Sequence, residues 1–453
     1  MKRRLTSPAR GVVVTALATR PLLLAAALAV VVAGFALASL ARRFGASPLW
    51  VGAALVAIMA GEMSSLSLGG QSGKLLWADA VIAVGVAAAG VRGRFTLVVP
   101  RAPLLDRLWP LLGWCALTLI VAGDPLTAAA ELKEWCAAAA LGVVAVAVTR
   151  DAQRARFLLA MVALAGALVA AGMIYVALTS PLGAPAAIMQ KLVDLPWGRT
   201  NYLAGLLILG IPLLLGLLGD AASRRAKLAC TAGLLLTVGG LAVSASKGAI
   251  LSLAVALGLT FGLARRQARA PRLIVLAVFA AGVALYAAGP LRQVTEMRLQ
   301  TSALDYSAGE RMDLYRLAWE QFLRHPLFGV GLNVFSVVSH RLHGVDTVPH
   351  NFELGFLAEL GLPGLVLGLL WAWALAQGAR RALRHAETPG ERSLALGLWA
   401  AFLAAALHNQ VESTLYGQQF KMMLLVYGAA AWAIGHEWQQ RDAAPVQSAH
   451  PAD

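Results

Sequence analysis

Seven polar residues carry the chemistry open to this chain. His350 follows Pro349 and precedes Asn351, where a polar stretch runs into an apolar one. The positive end of a helix disfavours imidazolium, so a ring there tends to stay neutral and suits a general base. The competing reading is a capping or packing histidine. Asn351 is of the residue type that caps the helix that follows. Arg311 has Glu310 beside it and no spaced partner, which leaves its guanidinium suited to bidentate phosphate contact. Arg316, with Asp313 three residues before it and Glu320 four after, reads first as part of a salt-bridged helix face. Arg199 stands in Leu195-Pro196-Trp197-Gly198-Arg199-Thr200-Asn201 at the mouth of an apolar run, either to hold an anion or to snorkel beside Trp197. Lys247 occupies the tight turn Ser244-Ala245-Ser246-Lys247-Gly248, with the same two readings. Glu412 follows His408-Asn409-Gln410-Val411. It can orient a histidine, bind a sugar hydroxyl, or be a solvated loop carboxylate.

Other chemistries lack their motifs. There is no GxxxxGK[ST] loop for a nucleoside triphosphate and no DxD-like pair for a metal-bound sugar nucleotide. Cys115, Cys136 and Cys230 sit in or beside apolar stretches without CxxC spacing, which argues against a disulfide framework or a zinc site. No metal and no cofactor are expected. The formal charge of +15 suggests nucleic acid at first sight. However, the basic residues cluster at the ends of apolar runs, as in Ser223-Arg224-Arg225-Ala226-Lys227 and Arg265-Arg266-Gln267-Ala268-Arg269, and no basic patch alternates with aromatics. No nucleic-acid partner is expected.

The elements that must position these residues are membrane helices. The 453 residues are 59% hydrophobic and 13% charged, with mean hydropathy +0.70. Repeated apolar runs match the bilayer's hydrocarbon thickness, and a backbone in lipid must satisfy itself, so these runs are helices. Strict period-two alternation is missing, which argues against a barrel. Spans are expected near 21–40, 49–62, 75–91, 108–123, 129–148, 156–178, 201–219, 228–245, 248–264, 272–289, 352–376, 393–410 and 420–436. The basic connectors near 92–107, 150–156, 221–227, 265–272 and 379–385 belong on the cytoplasmic side. The connectors carrying Arg199, Lys247, Arg311, His350 and Glu412 then fall on the opposite face. Arg42 and Arg43 also look cytoplasmic, which conflicts with the basic N-terminus. The expectation is therefore an all-α polytopic membrane protein with about 12 or 13 transmembrane helices. Its regions are N-terminal spans to residue 289, one large loop over 290–351, C-terminal spans over 352–438, and a cytoplasmic tail over 439–453.

The long loop contains a helix of its own. Met312, Tyr315, Trp319, Phe322 and Leu323 recur at spacings of three and four, a single apolar stripe for the bilayer surface or the helix bundle. Ser307 is placed to start it and Pro326 to end it. Glu62, Asp79, Glu131, Lys133, Glu134 and Glu359 lie in or at the ends of apolar runs, where charge is costly and pairs.

Pro349-His350-Asn351, nine residues, then Gly361-Leu362-Pro363-Gly364 resembles the H-[NSQ]-x9-G-x-x-G signature of O-antigen ligases and related lipid-linked oligosaccharide transferases. The stretch from Arg324-His325-Pro326-Leu327-Phe328-Gly329-Val330-Gly331 to Phe335 is similar to the family's "hPl.GvG...F" segment. Gly198-Arg199-Thr200-Asn201 and Ser246-Lys247-Gly248 are fainter echoes, the latter with lysine where the family commonly has arginine. The resemblance implies a glycosyltransferase of the C type in the bacterial inner membrane, its active site facing the periplasm, independent of ATP and metal. It implies transfer of a glycan from undecaprenyl pyrophosphate to a sugar hydroxyl of lipid A-core. It assigns His350 as base, with Arg311, Arg199 and Lys247 at the pyrophosphate. An O-antigen or exopolysaccharide polymerase uses the same donor with another lipid-linked repeat as acceptor. A protein O-oligosaccharyltransferase and a membrane transporter are more distant alternatives.

Overall fold

Local signals in the sequence set the helix starts. The computed structural model describes residues 50–55, 65–67, 74–76, 101–149, 151–179, 200–263, 303–343 and 347–443. The chain divides after Trp50, and the description below concerns the unit Val51–Asp453. Its helices are α1 Pro103–Thr118, α2 Pro125–Val148, α3 Ala152–Thr179, α4 Thr200–Asp220, α5 Arg224–Ser244 and α6 Lys247–Leu263, then α7 Ala303–Arg324, α8 Phe335–His343, α9 Phe352–His385, α10 Pro389–His408 and α11 Gln418–Ala443. Asp124 caps α2 by accepting from the N–H groups of Leu126 and Thr127, with Pro125 at the first helical position. Thr388 and Glu391 form a reciprocal capping box at the start of α10. Ala245, at φ 49, ends α5 and opens the tight turn into α6 expected at Lys247.

Helices α3, α5, α9 and α10, with α4 from Asn201 on, are long and apolar enough to cross a membrane. Each expected span from 108–123 to 248–264, and each from 352–376 onward, overlaps a helix, although α1 ends at Thr118, short of the expected 123. The expected spans at 21–40 and 272–289 lie outside the described residues, as do most of 49–62, the span at 75–91 apart from residues 75 and 76, and the tail from 444. One departure from an all-helical chain is a short antiparallel ladder, Ser65–Ser67 against Lys74–Leu76, with Leu66 opposite Leu75.

Two packing features position the site. The first joins α4 to α10. A Cβ on Gly216 would come 3.1 Å from the Cα of Gly397, so only small residues allow this approach. Lipid supplies no hydrophobic drive between helices, and close van der Waals contact through small residues takes its place. The contact sets the N-terminal end of α4, with Asn201, beside the C-terminal end of α10, with His408.

The second is a break in α9. Gly361 has φ 68, and a Cβ there would lie 2.2 Å from the carbonyl oxygen of Leu327. Pro363 has no N–H for the carbonyl four residues before it, Glu359. The Gly329 turn supplies what the helix lacks. Val330 N–H donates to Ala358 O and Gly331 N–H to Glu359 O, each at 2.9 Å, while Leu362 N–H turns to Pro326 O. Trp114 of α1 donates its indole N–H to Leu360 O at 2.8 Å. The two halves of the family-like pattern, the glycine turn and the G-x-x-G, are therefore the two sides of one joint.

Helix α7 starts at Ala303, earlier than the start expected at Ser307. Its buried face is Leu314, Leu317 and Ala318, packed with Phe335 of α8 and Ala358 of α9. The stripe read from the sequence is not that face: Met312, Trp319 and Leu323 remain exposed. Periodicity identified a helix but could not tell which of two apolar faces the bundle would cover.

Candidate active site

Asn351 closes the entry to α9. Its side-chain oxygen accepts from Leu354 N–H at 2.9 Å, and its amide nitrogen donates to Gln410 O at 3.2 Å. Phe352 N–H donates to Asn409 O at 2.9 Å. The strap that follows α10 is thereby stitched to the start of α9. Glu412 N–H in turn donates to His408 O at 2.8 Å. These bonds bring together two residues far apart in the chain. His350 Nδ1 lies 2.8 Å from Glu412 Oε1. His350 adopts φ 54, a left-handed conformation that is strained for a residue with a bulky side chain. Such strain concentrates at functional positions.

The other oxygen of Glu412 is also engaged. Asn201 donates its amide N–H to Oε2 at 3.1 Å, and Arg311 of α7 places a guanidinium nitrogen 3.7 Å from it. Burial alone would raise the Glu412 pKa. The hydrogen bond from His350 and the charges of His350, His408 and Arg311 outweigh burial and hold it below the usual carboxylate range. A carboxylate on Nδ1 fixes the tautomer with the proton there and leaves Nε2 as an acceptor. Nε2 faces the hydroxyl of Thr347 at 3.3 Å. The dyad can therefore take a proton at Nε2 from a hydroxyl, beside a cation able to face an anion.

Of the residues expected at the site, His350, Glu412, Asn351 and Arg311 come together. Lys247 is exposed at the first residue of α6, and the adjoining Gly248 lies against Val411 of the strap and His408 at the end of α10. Arg316 is not drawn in. It lies five residues beyond Arg311, about 140° further round the helix, and pairs with Asp313 at 3.5 Å on the solvent side. Arg199 lies outside the described residues. Asn201 and Thr347 escaped the sequence reading. Asn201 belongs to the Gly198-Arg199-Thr200-Asn201 echo, whereas nothing in the sequence marks Thr347.

A buried polar chain supports the loop from beneath. Lys421 of α11, fully enclosed, pairs with Glu131 and with Glu134, the latter at 3.2 Å, beneath the Trp135 ring. Asn333, at φ 57, donates its side-chain N–H to Glu131 at 3.4 Å and its backbone N–H to Glu359 at 2.9 Å. Of the acids expected to pair, Glu131 and Glu134 do so through a lysine that the sequence reading did not single out, while Glu62 and Asp79 lie outside the described residues. Among the described residues no group of His, Cys, Asp and Glu is arranged to hold a metal ion.

Fold and site define a multi-span helical membrane protein with a His-Glu-Arg cluster under a loop helix. A family model described as O-antigen ligase matches residues 232–369, from α5 through the loop and past the joint in α9. This bears out the family resemblance read from the H-N-x9-G-x-x-G pattern. No curated protein matches the chain. Glu412 lies beyond the matched region, so its place in the site comes from the fold.

Proposed function

We propose that the chain is a glycosyltransferase of the O-antigen ligase type. It takes a glycan from undecaprenyl pyrophosphate and delivers it to a sugar hydroxyl of lipid A-core, on the periplasmic face of the bacterial inner membrane. The acceptor hydroxyl gives its proton to His350 Nε2 as its oxygen attacks the anomeric carbon. The bond from that carbon to pyrophosphate oxygen breaks, its electron pair leaves with the pyrophosphate, and the configuration inverts. Arg311 faces the departing charge, with Lys247 as a further cation and Arg199 as another that the sequence assigns to that face. Glu412 is a positioning residue that keeps the Nδ1 proton in place. The observation carrying this reading is the 2.8 Å contact between His350 Nδ1 and Glu412. A lipid pyrophosphate is already an activated leaving group, which fits a chain without a nucleotide motif.

Expression in a strain lacking its own ligase tests the reading. O-antigen should then appear on lipid A-core. Glycan that stays on undecaprenyl pyrophosphate and grows longer would instead identify a polymerase.

A further inference from the structure

The joint between the Gly329 turn and α9 leaves a groove on its other side. Its volume is about 400 Å³, and it runs between the α1–α2 connection and α8. This volume is within the range of small-ligand sites. Its walls are apolar, with Val121, Val334, Val337 and Val338 among them, while His325 and Arg341 supply basic groups and no carboxylate lines it. The acid nearest in sequence, Asp124, is occupied in capping α2. Arg341 is exposed and has no carboxylate partner among the described residues.

The surroundings are apolar and uncovered by described residues. Ile120 is 83% exposed, Leu327 55% and Leu342 59%. A cluster of this kind is unfavourable in water and favourable at the boundary between acyl chains and headgroups. Helix α7 separates the groove from the His350 cluster. Arg311 and the end of α7 are thirteen residues apart, about 20 Å of helix. The groove is therefore a different site, and the inference does not rest on the reaction assigned above.

We propose that this groove holds one anionic phospholipid of the surrounding bilayer, an acyl chain against Val334, Val337 and Val338 and its phosphate on Arg341. Arginine matches phosphate with its planar fork, and a basic residue at a membrane surface favours an anionic lipid over a zwitterionic one. The apolar walls account for the chain, and the basic rim for the head.

The test is native mass spectrometry of the full chain, delipidated in detergent and titrated with phosphatidylglycerol or with phosphatidylcholine of the same acyl chains. Basic segments at a membrane surface attract anionic lipid in general, so the readout is the difference between wild type and variants. Wild type should retain one more phosphatidylglycerol than Arg341→Glu. It should bind that lipid about fivefold to tenfold more tightly than phosphatidylcholine at this site. Val337→Trp, which fills the groove and leaves the charge, should lose the same lipid. Arg341 is exposed, so its substitution leaves the fold intact, and gel filtration of both variants confirms this. Equal lipid retention by wild type, Arg341→Glu and Val337→Trp overturns the proposal, as does equal binding of the two lipids.

Discussion

His350 Nδ1 and Glu412 Oε1 stand 2.8 Å apart, although 62 residues of chain separate them. The contact exists because Asn351 and Phe352 at the start of α9 bond to Gln410 and Asn409 in the strap after α10. Neither partner alone makes a proton acceptor of defined tautomer.

His350→Ala removes the proposed base. Transfer should fall by about 10²–10⁴-fold, the usual contribution of general-base catalysis. The protein should still reach the membrane at wild-type level. Lipopolysaccharide gels from the ligase-deficient strain, read beside an immunoblot of membranes, provide both measurements. Near-normal transfer would sink the assignment, and a transporter would tolerate the change.

Glu412→Gln keeps the shape and loses the charge. Transfer should drop by about 10²-fold or more, since the orienting carboxylate of a comparable triad is worth that much. The same variant carries a pH signature. The folded-state pKa of Glu412 is depressed, so its stabilisation is present above the unfolded value and is lost as pH falls through the folded one. Wild type should therefore lose thermal stability below the ordinary carboxylate range more steeply than Glu412→Gln. Parallel melting curves in that range would remove Glu412 from the account.

Arg311, beside Glu412, belongs to the proposed site, and Arg316, paired with Asp313, lies on the surface. Arg311→Ala should lower transfer by about 10²–10³-fold, the cost of losing one donor to developing charge. Arg316→Ala, which breaks only an exposed pair with Asp313, should stay within about twofold. Equal losses would show that the orientation of α7 is misassigned.

Gly361→Ala tests the joint. The left-handed φ of 68 and a Cβ 2.2 Å from Leu327 O leave no room for a side chain. Backbone strain alone costs about 1–3 kcal/mol. A lower melting temperature in detergent is expected, with loss of protease resistance first in the segment around Gly329. An unchanged melting curve would contradict the joint.

Lys421→Met leaves Glu131 enclosed without its cation, at a cost of about 3–5 kcal/mol. Adding Glu131→Gln should restore part of this stability, because the uncompensated charge is removed. Thermal unfolding of the single and double variants in detergent measures the coupling. A double variant no more stable than the single one would show that the pair is not the source.

The legible part of the site was what local pattern encodes. His350 stood out because a helix start follows it, and Arg311 because it lacks a partner at helical spacing. Arg316 declared its partner, Asp313, at that same spacing. Glu412 offered three readings in the sequence, and proximity to His350 chose between them. Lys421 carries no local signal in the sequence, because its partners lie on α2, far away in the chain.

Among the described residues the sequence by itself determined that these segments are helices and roughly where they lie, since hydropathy, capping and glycine or proline breaks act over a few residues. It also determined the presence of an O-antigen ligase pattern. Only the tertiary structure decided which face of α7 is covered, why the glycine turn and the G-x-x-G belong together, and which carboxylate meets His350. Those outcomes depend on contacts between segments separated by long stretches of chain, and no local periodicity records them.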